Sequence, residues 1–331
     1  MIRTLEYINK SIKPISKFKI HNFQKITINE KPCYKFSPIE NHKKEKILVV
    51  IPGMTVRGID DPRLLKQCEI FRQLGFITYL PYYPEIHKLE IQPESIDNIV
   101  KDLKTIIQIH HEEKIYLMSV SFSGALTLIA SSHSEIRDYI NSIFLIGSFA
   151  HFRTTASFLI LNKDVDPYGY FIILKNLLPY IKEYNYPELV EAFYIAAIDD
   201  ALKTKPPKLE EHLEKYPHIR ETFEKLMNDD EERKKIFDSA MNHPEVKNIN
   251  VKFDVLPYIR FIKAKISILH GKNDSVIPPE ESIMIYKECQ KYNIPSRITV
   301  TSLLDHGNVR LNLNVIAEFF SLIHTLNFFL E

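Results

Sequence analysis

Residues 115–124, IYLMSVSFSG, decide the fold of this chain. The first part is an apolar run typical of a buried strand, and residues 125–127, ALT, continue as a helix. A strand that passes directly into a helix holds Ser121 in a sharp, strained turn with its hydroxyl exposed above the sheet. The flanking positions must be small because the two backbones nearly touch there. Ser119 and Ser123 meet that limit, so we expect glycine to be tolerated at either position.

Two further stretches place polar side chains at the ends of predicted strands. Asp274 follows the apolar run at 266–270, and His306 lies in the polar loop 304–308, after a strand at 297–301. The chain order Ser121, Asp274, His306 resembles the α/β-hydrolase superfamily. The resemblance covers residues 45–150 and 262–330.

The resemblance implies a role for each residue. Ser121 would be the nucleophile, His306 the base that takes its proton, and Asp274 the carboxylate that orients the imidazole. The oxyanion would be bound by two backbone N–H groups, those of Phe122 and of Met54, which follows a buried strand and Pro52-Gly53. Such a site needs no metal and no organic cofactor.

The turn departs from the common G-x-S-x-G pattern because serine replaces both glycines. Taken alone, three serines and a glycine also fit a flexible turn after a buried strand. The three candidate residues in the expected order favour a nucleophile elbow at Ser121.

Strand and helix patterns alternate along the chain, with strands near residues 47, 77, 115, 143, 266 and 297. This alternation predicts an α/β fold, a mostly parallel sheet covered by helices on both faces, whose ligands bind at the carboxyl ends of the strands. Two weaker strand candidates, 18–21 and 25–28, predict an antiparallel edge.

The resemblance divides the chain into a core, residues 1–150 and 251–331, and a predominantly helical cap insertion, residues 151–250. The apolar and aromatic run at 158–180 fits an acyl or aryl pocket, but it equally fits a surface that seals the cap against the core. Residues 203–235 are rich in charges of both signs, which predicts a solvated helical face.

Composition is that of an ordinary soluble enzyme: 331 residues, 26% charged, with a formal net charge of +1, which points to no nucleic-acid partner. Cys33, Cys68 and Cys289 lack the spacing of a disulfide framework or a zinc site, so a reducing compartment fits. No secretory signal or spanning segment is evident, and we expect a cytoplasmic protein without stable membrane insertion. Peripheral attachment through the cap or the last helix is the alternative. The sequence does not predict the oligomeric state.

Other titratable residues are weaker candidates. Residues 110–113, HHEE, lack the four-residue histidine spacing of zinc sites and fit a polar helix end. His270 belongs to the His-Gly-x-x-Asp turn that often precedes the acid in the family, where it is structural. No pattern in the sequence suggests a catalytic partner for His151. Asp305 is a rival carboxylate, but neighbouring side chains such as those of Asp305 and His306 rarely point at one another.

Three functions fit these residues. The first is a serine hydrolase, esterase or thioesterase in type, that cleaves a carboxylic ester, thioester or amide of a small, apolar acyl substrate through an acyl-enzyme on Ser121. The second is an acyltransferase that uses the same residues. The third is a catalytically silent relative that binds a small ligand or a protein partner.

Overall fold

The structure is a computed structural model that describes residues 2–20, 23–38, 46–111, 113–162, 166–305, 308–309 and 316–331. Its strands are β1 (Gln24–Ile28), β2 (Lys31–Phe36), β3 (Lys46–Ile51), β4 (Phe76–Pro81), β5 (Ile115–Val120), β6 (Ile140–Ile146), β7 (Lys265–Gly271), β8 (Ser296–Thr301), β9 (Leu304–Asp305) and β10 (Asn308–Val309). Its α-helices are α1 (Ile2–Ser11), α2 (Pro62–Gln73), α3 (Pro84–His87), α4 (Glu94–Ile109), α5 (Phe122–Ser131), α6 (Phe152–Leu161), α7 (Pro167–Leu177), α8 (Pro187–Leu202), α9 (Lys208–Lys215), α10 (Pro217–Asn228), α11 (Asp230–Asn242), α12 (Pro244–Lys252), α13 (Leu256–Ile259), α14 (Pro279–Lys291) and α15 (Ile316–Leu330).

The main sheet of the described residues has eight strands in the order β1-β2-β4-β3-β5-β6-β7-β8. Strands β3 to β8 pair in parallel, and β2 is antiparallel to both β1 and β4. Helices pack on both faces. The predicted α/β architecture with an antiparallel edge is therefore confirmed.

The antiparallel edge is a hairpin of β1 and β2, joined by Asn29 and Glu30 with φ of 47° and 67°. Positive φ at both central residues matches the twist that tight hairpins require. The predicted strand at 25–28 is confirmed, but the one at 18–21 is wrong over its described residues, 18–20. Phe18 and Ile20 pack onto an apolar cluster without a partner strand, so their pattern reflects burial and not pairing.

Alternating residues of the central strands supply two apolar clusters, one on each face of the sheet. Leu48 and Val50 of β3 join a cluster with Phe71 of α2 and Phe329 of α15. Val49 of β3 faces the other way, into a cluster shared with α4, α5, α14 and the helices after β6. Fully burying one such side chain contributes about 1.5–3 kcal/mol.

The segment between β6 and β7 contains the eight α-helices α6 to α13 in its described part. Its two ends meet, because the Val255 N–H donates to the Ala150 carbonyl at 2.9 Å. Glu281 of α14 accepts hydrogen bonds from the backbone N–H groups of Ala150 and His151, each at 2.8 Å. The segment thus leaves and rejoins the sheet at one point. Its role as a cap stays a prediction.

Over the described ranges, no helix is both long enough and apolar enough to cross a membrane.

Candidate functional site

Ser121 lies between β5 and α5 in a strained backbone conformation, with φ 57° and ψ −132°. Non-glycine residues rarely adopt positive φ, and such strain costs about 1–3 kcal/mol unless the surroundings impose it. Here they do, because the Ser121 N–H donates to the Ile146 carbonyl at 2.8 Å and the Gly124 N–H donates to the Ser121 carbonyl at 2.9 Å. The turn predicted from the sequence is present.

Two glycines allow neighbouring backbones to approach this turn. A Cβ atom on Gly53 would lie 2.8 Å from the Val120 carbonyl oxygen, and one on Gly124 would lie 2.6 Å from the Ser148 side chain. A real Cβ does not come so close, so any larger residue at either position would push the loop after β3 or the loop after β6 away from Ser121.

The two flanking serines are both buried, but they differ in bonding. The Ser123 hydroxyl donates a hydrogen bond to the Pro52 carbonyl, which ties α5 to the loop after β3. The Ser119 hydroxyl makes no hydrogen bond to any described residue. The sequence pattern treats both as small residues only, and the structure gives Ser123 a second role that size alone does not reveal.

The expected oxyanion donors lie on either side of Ser121. As the first residue of α5, Phe122 has a backbone N–H with no acceptor inside the helix. Met54 directly follows Gly53, and both Met54 and Phe122 line the cavity that contains Ser121. Their catalytic role stays a prediction.

The loop that carries Met54 is held at two further points. The Tyr168 hydroxyl of α7 donates to the Met54 carbonyl at 3.3 Å, and the Thr55 hydroxyl donates to Asp61 at 3.0 Å. Burial raises the pKa of Tyr168, so its hydroxyl stays protonated and able to donate. Tyr168 belongs to the apolar and aromatic run at 158–180, but its contact with the loop beside Ser121 is not evident from that pattern.

Asp61 and Arg63 form an ion pair on the cavity wall. The Arg63 guanidinium donates to both carboxylate oxygens of Asp61, at 3.0 and 2.7 Å. Burial of Asp61 opposes its charge, but the hydrogen bonds and the charge of Arg63 outweigh that effect and lower the pKa of Asp61. Asp61 also caps α2, because its side chain accepts a hydrogen bond from the Arg63 backbone N–H at 2.9 Å.

Asp274 lies on the loop after β7 and is 6% exposed. One carboxylate oxygen accepts backbone hydrogen bonds from Val276 at 2.8 Å and Ile277 at 3.0 Å, which fixes the loop. Gly147 lies beside the other oxygen with φ 63°, and a Cβ atom on Gly147 would come within 3.3 Å of it. Asp274 is thus held at the same sheet edge as Ser121.

His270 is buried beside Asp274, with its Nε2 3.6 Å from the second carboxylate oxygen. Its Nε2 also lies 2.8 Å from the Ile277 carbonyl, and its Nδ1 lies 2.6 Å from the Ser282 hydroxyl. A nitrogen that faces a carbonyl oxygen must carry the proton. His270 does not line the cavity, so its contacts fit the structural role expected from the sequence.

His306 lies outside the described residues, and the side chain of Asp305 is not described. The assignment of His306 as the base, and of Asp305 as a rival to Asp274, therefore stays at the level of sequence. His151 is part of the described chain, and its Nε2 lies 3.6 Å from Asp254, away from the cavity lining. Among the described residues, no group of three or more His, Cys, Asp or Glu side chains could hold a metal ion.

Ser121 opens into a cavity of about 710 Å³ that reaches both apolar clusters. One wall comes from the helical segment and the loops beneath it, and includes Phe149, Phe152, Leu159, Ile172 and Ile173. The opposite wall comes from α1, β5, β7 and α15, and includes Tyr7, Ile8, Met118, Leu269 and Leu326. Leu159, Ile172 and Ile173 of the apolar run thus line the cavity and also belong to a core cluster, and the role of the run as an acyl or aryl pocket stays a prediction.

Known proteins resemble this chain in structure but not in sequence. No family model matches the chain, and no curated protein matches it in sequence. A candidate hydrolase from Legionella pneumophila has a similar structure with a TM-score of 0.59 at 16% identity, covering 99% of this chain and 93% of its own. A puromycin-hydrolysing peptidase of Mycobacterium tuberculosis has a TM-score of 0.54 at 11% identity, covering 92% of this chain and 37% of its own.

The acylaminoacyl peptidase of Pyrococcus horikoshii has a TM-score of 0.51 at 12% identity, covering 94% of this chain and 41% of its own. The chain thus spans less than half the length of either peptidase. At such low identities the likeness concerns the fold, and it agrees with the strand order and the turn at Ser121. The chain has the α/β-hydrolase fold.

Proposed function

We propose that the protein is a serine hydrolase that cleaves a carboxylic ester, thioester or amide of an apolar acyl substrate. The observation that carries the proposal is the strained position of Ser121 at the floor of a large apolar cavity. A serine held at positive φ exposes its hydroxyl to a ligand, and strain of this kind concentrates at functional sites.

The proposed reaction has two steps. The Ser121 hydroxyl oxygen attacks the carbonyl carbon while His306, the base expected from the sequence, takes the proton and then passes it to the leaving alcohol, thiol or amine. Water, deprotonated by the same imidazole, then attacks the acyl carbon, the bond from that carbon to the Ser121 oxygen breaks to release the acid, and the imidazolium returns the proton to Ser121. Asp274 would hold the imidazole in the required tautomer, and the N–H groups of Met54 and Phe122 would bind the oxyanion.

The cavity supports an apolar acyl group as the substrate. Most of the side chains around Ser121 are hydrocarbon or aromatic. Asp61 and Arg63 also lie on the wall, where their opposite charges form an ion pair. Pockets of this size and character bury most of a small ligand and fix it with a few polar groups.

The test is hydrolysis of p-nitrophenyl esters of increasing acyl length by the wild type, Ser121→Ala and the control Ser119→Ala. We expect the wild type and Ser119→Ala to show a burst and to favour medium or long chains, and Ser121→Ala to lose the burst. Activity that survives Ser121→Ala contradicts the proposal. Release of p-nitrophenol with the acyl group recovered on an added alcohol would make the enzyme an acyltransferase, and inactivity of all three folded proteins would favour a silent binding protein.

A further inference from the structure

The cavity reaches solvent at a rim of unusual composition. Five described residues both line the cavity and are exposed, and we call them the mouth rim: Ile12, Ile15, Arg57, Arg63 and Lys203. Ile12 is 37% exposed and Ile15 is 39% exposed. Each member is apolar or cationic, although the protein as a whole has a formal net charge of only +1.

The two paired cations of the mouth rim face outward more than their partners do. The Arg63 side chain is 51% exposed against 2% for Asp61, and the Lys203 side chain is 77% exposed against 31% for Asp200. Solvent at the mouth therefore meets the cationic side of each pair.

Helix α1 extends this surface. Ile2 is 83% exposed and Leu5 is 44% exposed, and both lie on the face of α1 that continues to Ile12. Residues 2–20 contain five basic side chains and a single acidic one, Glu6; the basic residues are Arg3, Lys10, Lys13, Lys17 and Lys19. An apolar stripe accompanied by lysine and arginine is the composition of helices that lie in a lipid interface.

The opposite face of α1 is fixed to the core, so the stripe cannot turn inward. The Tyr7 hydroxyl donates to Gln67 of α2 at 2.8 Å, and the Thr4 hydroxyl donates to Asn327 of α15 at 3.1 Å. The Lys66 ammonium group donates to the carbonyls of Ser11, the last residue of α1, and of Lys13, two residues further on, at 2.6 Å each. These bonds hold the exposed stripe next to the cavity mouth.

We propose that α1 and the mouth rim dock on an anionic lipid surface, so that an acyl lipid can enter the Ser121 cavity without crossing water. The apolar residues supply the contact with the acyl region, and the cations supply the attraction to anionic headgroups. Docking depends on the surface alone, whereas the identity of the lipid as substrate rests on the proposed hydrolase function.

The test is cosedimentation of the full chain with vesicles of phosphatidylcholine, with and without about one third phosphatidylserine. We expect binding to the anionic vesicles that weakens as salt rises. Ile2→Ser combined with Leu5→Ser should weaken it about tenfold or more, because two apolar side chains no longer enter the interface. Lys13→Gln should weaken it about fivefold, the effect of one charge near the surface.

The matched control is Val251→Ser on α12. Val251 is 70% exposed but lies away from the cavity, so this variant should bind as the wild type does.

Failure of docking and failure of the hydrolase function are separable. Labelling of Ser121 by a fluorophosphonate without vesicles reports only on the nucleophile, and the Ile2→Ser, Leu5→Ser variant should label at the wild-type rate because neither residue lines the cavity. No binding to anionic vesicles at low salt overturns the docking proposal, and so does equal loss in the Val251→Ser control. Binding that is indifferent to lipid charge also overturns it, and a protein partner would then be the better explanation for the exposed stripe.

Discussion

Replacing Ser123 by alanine should slow the chemistry at Ser121, whereas replacing Ser119 by alanine should not. Both serines are buried beside the nucleophile, and both stand where the common motif has glycine. Only the Ser123 hydroxyl has a described partner, the Pro52 carbonyl, two residues before the expected oxyanion donor Met54. Comparing the two alanine variants therefore distinguishes the effect of the Ser123 hydrogen bond from the requirement for a small side chain.

The magnitude follows from this one bond. Ser123→Ala leaves the Pro52 carbonyl buried without its donor, and such a loss costs about 1–3 kcal/mol of unfolding free energy. Loss of one oxyanion donor slows catalysis by about 10²–10³, so partial displacement of Met54 should give about a tenfold loss. Ser119→Ala removes a buried hydroxyl that lacks a described partner, and should leave stability unchanged or slightly higher.

The assay combines urea denaturation with the rate of fluorophosphonate labelling of the folded proteins. We expect Ser123→Ala to be both less stable and slower to label, and Ser119→Ala to match the wild type in both measurements. Equal effects of the two substitutions would refute the reasoning. So would a Ser123→Ala protein that loses stability but labels at the wild-type rate, because the bond to Pro52 would then have no influence on Met54.

Three further outcomes are expected. Asp274→Asn should fold and bind substrate, as circular dichroism and KM would show, but its kcat should fall by a factor of about 10⁴. Full activity of this variant would mean that another carboxylate orients the imidazole. Tyr168→Phe removes the bond to the Met54 carbonyl and should lower kcat several-fold with little change in KM; a change confined to KM would limit Tyr168 to substrate contact. The pKa of Asp61 is lowered from its ordinary 3.8, so its contribution to stability is present above that pH and lost as the pH falls through the folded-state pKa. Denaturation at about pH 7 and in acid should show that Asp61→Asn lowers stability mainly at the higher pH, and equal losses at both would contradict this.

Much of the fold could be predicted because its signals are local. The apolar run of β5 followed at once by a helix required the turn at Ser121, and alternating strand and helix patterns required a parallel sheet. The segment at 18–20 misled because its apolar residues report burial, which an irregular segment on a helix-covered face achieves equally well. Pairing depends on a partner strand, and no single stretch of sequence reveals that partner.

The site was predictable in part for the same reason. Ser121 and Asp274 each follow the carboxyl end of a parallel strand, so the common sheet edge brings them to one side of the molecule. The Ser123 bond to Pro52 and the Tyr168 bond to Met54 join residues far apart in the chain, and no local pattern predicts them. The mouth rim is likewise assembled from the segment after α1, the loop before α2, the first turn of α2 and the residue after α8, so its composition becomes visible only in three dimensions.

The most direct test of an activated nucleophile is fluorophosphonate labelling of the purified protein, with the adduct located by mass spectrometry. We predict a single adduct on Ser121 in the wild type and in Ser119→Ala, and none in a folded Ser121→Ala variant. No labelling of the folded wild type, or an adduct on another serine, would contradict the account.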